Sequence, residues 1–439
     1  MQRTWEIVAN WEPLNGGSDE ERGCFAALGI QARGHWLTEG RDALANRLRQ
    51  APLLSAYHLA EWLAWNWWRL RWEPRSSTED WAFAHKMSNI GGGYIWPNIT
   101  IFSDGERTTL VAKATEERSQ TPFRYISNIA AVISSLEFEN GVDDFVEQVL
   151  GRLGDEGMRD TNLAHIWSDL GIERQTLDLT RMRKLEALLG QDPDESDTHV
   201  INRLVADAEQ LSMAAVEELA ADSGLSRSAP VPSAAELTDV AKLHGFSASF
   251  DDSMRVSIPK ADMNRGHTAA WKLGAEAAKA LRQQATLGDD PITDSRLVDL
   301  LGVEKAALTP GGSANLGISF ALDRGNNESS IFLRSKWPTG RRFELARLLG
   351  DRLTATQGIL YPATRAYTYR QKVQRSFAAE LLSPFLAVFH MLNGDYSSEN
   401  QLDVAGYFQV SPLTIRTQLV NHQILEREDL DGDEFPLAA

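Results

Sequence analysis

Tryptophan is concentrated at the start of this chain, and this distribution constrains the fold more than any other feature. The chain has 439 residues and 13 tryptophans. Ten of them precede residue 100, at Trp5, Trp11, Trp36, Trp62, Trp65, Trp67, Trp68, Trp72, Trp81 and Trp96. This segment is therefore compositionally distinct from the rest of the chain. We therefore predict a separate N-terminal domain, which agrees with the two or three domains expected for this length.

The N-terminal segment carries signals for both helices and strands. The run Leu53–Trp72 is apolar on nearly every face, which predicts a buried helix. Gly91–Gly93 lacks the lysine and hydroxyl residue of a phosphate-binding loop, so it predicts a backbone hinge or a close-packing turn. Asp104-Gly105 separates two runs rich in β-branched residues, which is the pattern of a hairpin. The sequence therefore predicts a Trp-rich α+β domain over 1–150.

The remainder of the chain is predicted to be mainly helical, again α+β in class. Residues 151–222 have helical periodicity, and 223–235 are rich in Ser, Pro and Ala, as linkers are. A second domain follows over 236–425, and 426–439 form an acidic tail. Within the second domain, Thr293 or Asp294 begins a short helix that ends at Gly302, and Ser411-Pro412 begins another. Long helices are predicted over 341–353 and 372–391.

Charge and cysteine content narrow the classes of function. The net charge is −17, so the average surface repels phosphate backbones, and we do not expect direct nucleic-acid binding. Cys24 is the only cysteine, which excludes an intrachain disulfide and a cysteine-based zinc cluster. The first residues lack the apolar segment of a signal peptide, and no run of apolar residues is long enough to span a membrane. We expect a cytoplasmic protein with no membrane association.

Two helices of the second domain carry motifs that resemble a known family. The sequence RFELARLLGD lies at 342–351, and FAAELLSP lies at 377–384. They resemble the RFTLAHELGH and FAAELLMP elements of the ImmA/IrrE-like metallopeptidases. The flanking segments 268–303, 329–342 and 402–425 are also similar, so the resemblance covers about 265–425. It implies a zincin-like fold in which Glu380 takes the place of the third zinc ligand.

The zinc motif itself is degenerate in this chain. An H-E-x-x-H helix holds zinc with two histidines, and its glutamate activates the metal-bound water. Here Arg347 stands at the first histidine, Leu348 at the glutamate and Asp351 at the second histidine. Arginine offers no lone pair to a metal, and leucine cannot act as a base. We therefore expect no zinc, no other cofactor and no catalytic residue at this site.

The charged residues left in the motif have three interpretations. Glu344, Arg347 and Asp351 have i, i+3, i+7 spacing, so they share one stripe of a helix. If the resemblance holds, Glu380 faces them, and Arg347 pairs with Glu380 and with Glu344 or Asp351. This cluster is either an ion-pair network that joins two helices or a ligand pocket or retained switch. A carboxylate site for Mg²⁺ or Mn²⁺, built from Glu344, Asp351 and Glu380, is the third interpretation.

Two other regions are candidates for binding. In the N-terminal domain, Trp62, Trp65 and Trp72 lie near Arg69, and tryptophan with arginine stacks on bases or binds peptides. The alternative is a core with arginines at its edge. In the second domain, the rhythm of 404–419 is typical of a helix-turn-helix, with Arg416 as the candidate DNA contact. Simple packing of these two helices is the alternative.

These features together favour a regulator over an enzyme. The resemblance implies a catalytically inactive, bacterial-type pseudoenzyme that acts as a regulatory, sensor or scaffold protein in stress response or phage defence. Its expected partner is another protein, such as a repressor or a component of a defence system. The alternatives are an active metallo-endopeptidase, hence a hydrolase, with a relocated site, and a DNA-associated transcriptional regulator. The sequence does not indicate an oligomeric state.

Overall fold

A computed structural model describes residues 4–116, 120–225, 230–249, 265–309, 316–325, 328–355 and 358–426. The fold is mixed α+β, with about 52% helix and several small antiparallel sheets, which confirms the predicted class. The chain divides into two compact units. The first contains Met1–Ile201 and Ser223–Ser228, and the second contains Asn202–Asp222 and Ala229–Ala439. Within the described ranges, no helix combines the length and the apolar character that crossing a bilayer requires.

The first unit combines three small sheets with helices. Its strands are β1 (Trp5–Trp11), β2 (Phe25–Ala32), β3 (His35–Trp36), β4 (Gly40–Asp42), β5 (Arg47–Arg49), β6 (Leu53–Ser55), β7 (Ile99–Ser103), β8 (Arg107–Ala112), β9 (Phe123–Tyr125) and β10 (Ile129–Ser134). The sheets have the antiparallel orders β1-β2-β3 with β6 also on β2, β10-β8-β7, and β5-β4-β9. The helices are α1 (Asp19–Gly23), α2 (Ala56–Trp65), α3 (Trp67–Trp72), α4 (Glu79–His85), α5 (Ser135–Asp155), α6 (Asn162–Gln175) and α7 (Leu177–Leu188).

The two turns predicted in this unit are confirmed. Strands β7 and β8 pair as a hairpin around Asp104-Gly105, and Gly105 has a φ of 100°. The Asp104 carboxylate accepts a hydrogen bond from the Arg107 amide at 2.8 Å, which fixes the turn. Gly91, Gly92 and Gly93 have φ values of 77°, 71° and 83°. Three successive residues with positive φ require glycine, because a residue with a side chain is strained in that backbone conformation.

The single helix predicted over Leu53–Trp72 is wrong in detail. Leu53–Ser55 form β6, and the helical part is split at Asn66 into α2 and α3. The Ser55 hydroxyl accepts from the His58 amide and starts α2, while the Asn66 side chain donates to the Trp62 carbonyl where α2 ends. Short polar side chains satisfy the exposed groups of helix ends, so these two residues set boundaries that the apolar pattern conceals.

The predicted division at residue 150 falls inside a helix. Helix α5 runs without interruption through Ser135–Asp155 and begins with a capping box formed by Ser134 and Glu137. Its inner face buries Phe138, Val142, Phe145, Val149 and Leu153 in the same core as the tryptophans. The compact unit therefore extends to residue 201, because α5, α6 and α7 complete the core that the preceding strands begin.

The second unit contains one four-stranded antiparallel sheet of order β11-β13-β12-β14. Its strands are β11 (Phe246–Ser249), β12 (Ser319–Gly325), β13 (Glu328–Phe332) and β14 (Leu360–Ala363). The helices, beginning with one that lies mostly in this unit, are α8 (Thr198–Leu211), α9 (Met213–Gly224), α10 (Ala234–His244), α11 (Ala270–Gln284), α12 (Asp294–Leu301), α13 (Pro338–Thr354), α14 (Tyr369–Leu382), α15 (Phe385–Leu392), α16 (Ser398–Phe408) and α17 (Pro412–Asn421).

Helix ends in this unit follow the sequence signals. Thr293 caps α12, which ends at Gly302 in a left-handed conformation with φ 58°, as predicted. Ser411 caps α17 with Pro412 in its first turn, also as predicted. The helix predicted over 372–391 is instead two helices, α14 and α15. Pro384 separates them because proline has no amide hydrogen to continue the α14 hydrogen-bond ladder.

Helices α13 and α14, which carry Arg347 and Glu380, pack closely against each other and against α11. A Cβ on Gly274 of α11 would overlap the Val373 carbonyl oxygen and the Phe377 amide of α14. A Cβ on Gly350 of α13 would overlap the Phe377 ring. These two glycines allow the three helix backbones to approach one another, and the approach fixes which residues of α13 and α14 face each other.

The predicted linker is partly packed into the second unit. Of its residues 223–235, those at 226–229 lie outside the described residues, as does the acidic tail beyond 426. Val231 is only 5% exposed, and its carbonyl accepts from Arg203 at 2.9 Å. Ser233 then caps α10. The low apolar content of this stretch concealed one buried valine and one helix start, so its described second half is not a free linker.

Candidate functional site

The four charged positions of the degenerate motif are all buried in the second unit. Glu344, Arg347 and Asp351 lie on α13 and are 7%, 6% and 0% exposed. Glu380, on α14, is 4% exposed. The helical stripe is thus present as predicted, but each of these side chains has different partners.

Arg347 is surrounded by neutral acceptors. Its Nη2 donates to the Thr364 carbonyl at 2.7 Å, to Gln371 Oε1 at 2.5 Å and to Gln374 Oε1 at 3.3 Å. Its Nε is buried and has no hydrogen-bond acceptor among the described residues. No described carboxylate forms an ion pair with its guanidinium. The predicted pairing of Arg347 with Glu380 and with Glu344 or Asp351 is therefore wrong.

The reason for this error is the register of α14. The residues of α14 that face Arg347 are Gln371 and Gln374, in its first half. Glu380 lies near the end of the helix and accepts from the Phe385 amide at 3.2 Å. Its nearest described cation is Lys279 Nζ at 3.9 Å, on α11. Burial raises the pKa of Glu380, and the Lys279 charge offsets this only in part.

The two acidic residues of α13 are also engaged away from Arg347. Asp351 accepts two hydrogen bonds of 2.7 Å from Nε and Nη2 of Arg370, which is a bidentate ion pair. Glu344 accepts from the Ser335 amide at 3.1 Å, and its other oxygen lies 3.5 Å from Arg334 Nε. The acidic stripe is therefore divided between two arginines that the sequence interpretation did not include.

These residues do not fit a zinc ion or a carboxylate-bound Mg²⁺ or Mn²⁺ ion. Arg347 is positively charged and has no lone pair to offer a metal, and Leu348 is fully buried in the apolar core. Both Asp351 oxygens accept from Arg370, and Glu380 belongs to a different contact set. Among the described residues, no group of three His, Cys, Asp or Glu side chains is arranged to hold a metal ion.

Arg347 and Arg375 meet at one carbonyl group. Arg375, on α14, donates to the Thr364 carbonyl at 3.2 Å and to the Ala366 carbonyl at 2.8 Å. Burial lowers the pKa of Arg347 to about 9, and the Arg375 charge is the next largest cause. Burial also lowers the pKa of Arg375. The site therefore holds two guanidinium groups against backbone carbonyls and glutamines.

Sequence reasoning missed four residues of this site, namely Arg370, Gln371, Gln374 and Arg375. Their signal is present in the segment YRQKVQR that precedes FAAELLSP. Gln371 and Gln374 have i, i+3 spacing, and so do Lys372 and Arg375. Glutamines and cations therefore recur at helical spacing along this half of the helix. The FAAELLSP motif instead pointed to Glu380 as the residue of α14 that faces Arg347.

The tryptophan and arginine cluster of the first unit does not form one exposed surface. Trp65 is 58% exposed, whereas Trp62 and Trp72 are half-buried against the core. Arg69 is 5% exposed, and it donates to Glu73 at 2.7 Å and to Asp192 at 3.2 Å. Of the candidate binding residues in this cluster, Trp65 alone is largely exposed. Arg69 is a structural ion-pair partner.

A buried polar network in the same unit was not predicted. Glu73 Oε2 lies 2.9 Å from His85 Nε2, and His85 Nδ1 lies 2.6 Å from the Ile101 carbonyl. The Trp81 ring stacks on the imidazole, with ring centroids 4.3 Å apart. Burial acts to raise the pKa of Glu73, but the His85 and Arg69 interactions outweigh it and hold this pKa below its usual value. The network is enclosed, so we interpret it as structural.

The two helices of the predicted helix-turn-helix are α16 and α17, and the polar side chains of Arg416 and Gln418 are engaged in contacts within the protein. Arg416 donates to Ser398 Oγ at 3.1 Å and to Gln401 Oε1 at 3.4 Å, so it links the two helices. Gln418 is 5% exposed and donates to the Ser383 carbonyl. Side chains that read DNA must reach the groove. The contacts of Arg416 therefore favour packing, which was the alternative interpretation.

Comparison with known proteins adds no relative to this description. Neither family profiles, nor curated proteins, nor solved structures match the chain. Any functional interpretation consequently depends on the two sequence motifs and on the contacts described above.

Proposed function

We propose that the second unit is a non-catalytic, ImmA/IrrE-like module that acts by binding. One observation carries this proposal: Arg347, at the position of the first zinc ligand, is buried and held by Thr364 and two glutamines. A guanidinium group at that position excludes a metal by charge and by its lack of lone pairs. The adjacent Leu348 removes the base that would activate water.

We further propose that the protein is a cytoplasmic regulator, sensor or scaffold whose partner is another protein. The motif resemblance supports this, because it implies a setting of stress response or phage defence with a repressor or defence component as partner. The single, fully buried Cys24 suits a reducing compartment. The contacts that Arg416 and Gln418 make within the protein give no support to the alternative of a DNA-associated regulator.

A test for hydrolysis of a protein partner distinguishes this proposal from the peptidase alternative. The full chain, supplied with Zn²⁺, is incubated with the product of the adjacent gene, and both are followed by mass spectrometry and size exclusion. We expect a complex in which both chains remain intact. Cleavage of the partner by the wild-type chain would contradict the proposal.

The Glu380→Gln variant serves as the matched control. The substitution keeps the size of the side chain and removes its charge. Loss of cleavage in this variant would assign the activity to a relocated site that uses Glu380. Equal, absent cleavage in both proteins, together with a stable complex, is the result that supports a binding role.

A further inference from the structure

Three arginines from different elements of the second unit approach one another, and we call them the arginine cluster: Arg334, Arg347 and Arg375. Arg334 follows β13, Arg347 lies on α13 and Arg375 lies on α14. Arg347 and Arg375 donate to the same Thr364 carbonyl oxygen. Arg334 lies 3.5 Å from Glu344, which precedes Arg347 by one turn on α13.

Among the described residues, the nearest carboxylate pairs with Arg334 but not with Arg347 or Arg375. Glu344 forms an ion pair with Arg334 at 3.5 Å through one oxygen and accepts from the Ser335 amide through the other. Asp351 is fully engaged by Arg370. Glu218 accepts from Thr368 at 2.7 Å, and burial raises its pKa.

Asp222 completes the set of nearby acids, and it is engaged as well. It accepts from the Arg365 amide at 2.7 Å and lies 3.6 Å from Arg365 Nε. Among the described residues, no carboxylate therefore hydrogen-bonds to Arg347 or to Arg375.

This concentration of positive charge is unusual for the chain. The protein carries a net charge of −17, yet three guanidinium groups approach one another, and among the described residues Arg334 alone of the three is ion-paired, with Glu344 at 3.5 Å. A buried cation without a counter-ion is costly, and like charges at short range add to that cost. Arg347 Nε also remains without an acceptor among the described residues. These features are those of a site that an external anion completes.

Two of the three arginines are partly exposed. Arg334 has a side-chain exposure of 26%, and Arg375 is half-buried. Tyr367 is 36% exposed, with the Arg375 guanidinium 5.5 Å from its ring centroid. Arg347, at 6% exposed, is the most deeply buried of the three, so we take the Arg334 and Arg375 side chains as the entrance for an anion.

We propose that the arginine cluster binds the phosphate group of a small molecule. Guanidinium groups bind phosphate through paired, charge-assisted hydrogen bonds, and three of them from separate elements suit a dianion with several oxygens. Arg334 and Arg375 would change from their present contacts to the phosphate, and Arg347 would supply the charge behind them. The Tyr367 ring stands beside the entrance, where a ring of the ligand would stack. This proposal does not depend on the resemblance to metallopeptidases.

Calorimetric titration of the full chain with inorganic phosphate and with adenosine 5′-monophosphate tests the proposal. The variants are Arg375→Gln and Arg334→Gln, because both side chains are partly exposed and their loss leaves the core intact. The matched control is Arg296→Gln, which removes one charge from an exposed helical site in the same unit. Chloride at equal ionic strength corrects for general salt effects.

We expect saturable binding of at least one probe, weakened about tenfold or more in each cluster variant and unchanged in Arg296→Gln. Tighter binding of the nucleotide than of phosphate would assign a phosphorylated metabolite, and equal binding would assign free phosphate. Absence of binding by the wild-type chain at millimolar probe would overturn the proposal. Binding that survives in both cluster variants would overturn it as well, because the anion then lies elsewhere.

Discussion

The Asp351–Arg370 ion pair gives the sharpest prediction about stability. Asp351 is fully buried, whereas the Arg370 side chain is 17% exposed. Arg370 also donates to the Ala214 carbonyl at 3.2 Å, and the Asp351 charge outweighs burial to raise the pKa of Arg370 above its usual value. Removal of Arg370 therefore leaves a buried carboxylate, whereas removal of Asp351 leaves a partly exposed guanidinium group.

The two single substitutions should differ in their cost. Arg370→Ala leaves the Asp351 carboxylate buried without its cation, which should lower the free energy of unfolding by about 3–5 kcal/mol. Asp351→Ala leaves an arginine that keeps a carbonyl acceptor and reaches solvent, so we expect a loss of about 2 kcal/mol. Arg352→Ala breaks the half-exposed pair with Asp323, and its loss should be about 1 kcal/mol or less.

Urea denaturation monitored by hydrogen exchange of α13 and α14 measures these losses within the second unit. The double variant Arg370→Ala/Asp351→Ala should be less destabilised than the sum of the two single variants, since each removes the partner that the other leaves unpaired. If the losses add to within about 0.5 kcal/mol, or if Asp351→Ala costs more than Arg370→Ala, the reasoning is wrong.

Three further predictions concern metal binding, acid stability and helix packing. Elemental analysis of protein equilibrated with Zn²⁺ should find well under one zinc per chain, because Arg347 offers no lone pair to a metal and both Asp351 oxygens are engaged by Arg370; zinc that is lost on Glu380→Gln would contradict this. Because the folded-state pKa of Glu73 is lowered, its stabilisation is present above its unfolded pKa near 4.5 and should be lost as the pH falls below that value. Urea midpoints should therefore decline less steeply with acid in Glu73→Gln than in the wild type, and parallel curves would refute the assignment. Gly274→Ala should destabilise by about 1–3 kcal/mol, since its Cβ meets the α14 backbone, whereas Gly406→Ala, with open space around it, should not; equal midpoints for the two variants would refute the close approach.

Local signals in the sequence were sufficient for the short elements. The Asp104-Gly105 hairpin, the Gly91–Gly93 turn and the capped ends of α12 and α17 follow from conformational limits of one to four residues. No distant contact is needed to impose them. The boundary at Asn66 was missed because its cap depends on one side chain, which the surrounding apolar run conceals.

The site was predictable only in part, because local signals in the sequence do not report contacts between helices. Helical periodicity places Glu344, Arg347 and Asp351 on one stripe of α13, and the structure agrees. Periodicity within one helix does not state which residues of a second helix face that stripe. The sequence interpretation supplied this information from a motif, and so selected Glu380 in place of Gln371.

The sequence by itself determined the class of the fold, the turns and caps, and the presence of an arginine at position 347, which offers no lone pair to a metal. Tertiary packing decided which groups meet. Gly274 and Gly350 permit α11, α13 and α14 to approach around Phe377, and this register brings Gln371 to Arg347 and Arg370 to Asp351. Register depends on the fit of side chains from segments far apart in the chain, because packing energies are summed over whole helix faces. A local sequence pattern therefore does not determine the register between helices.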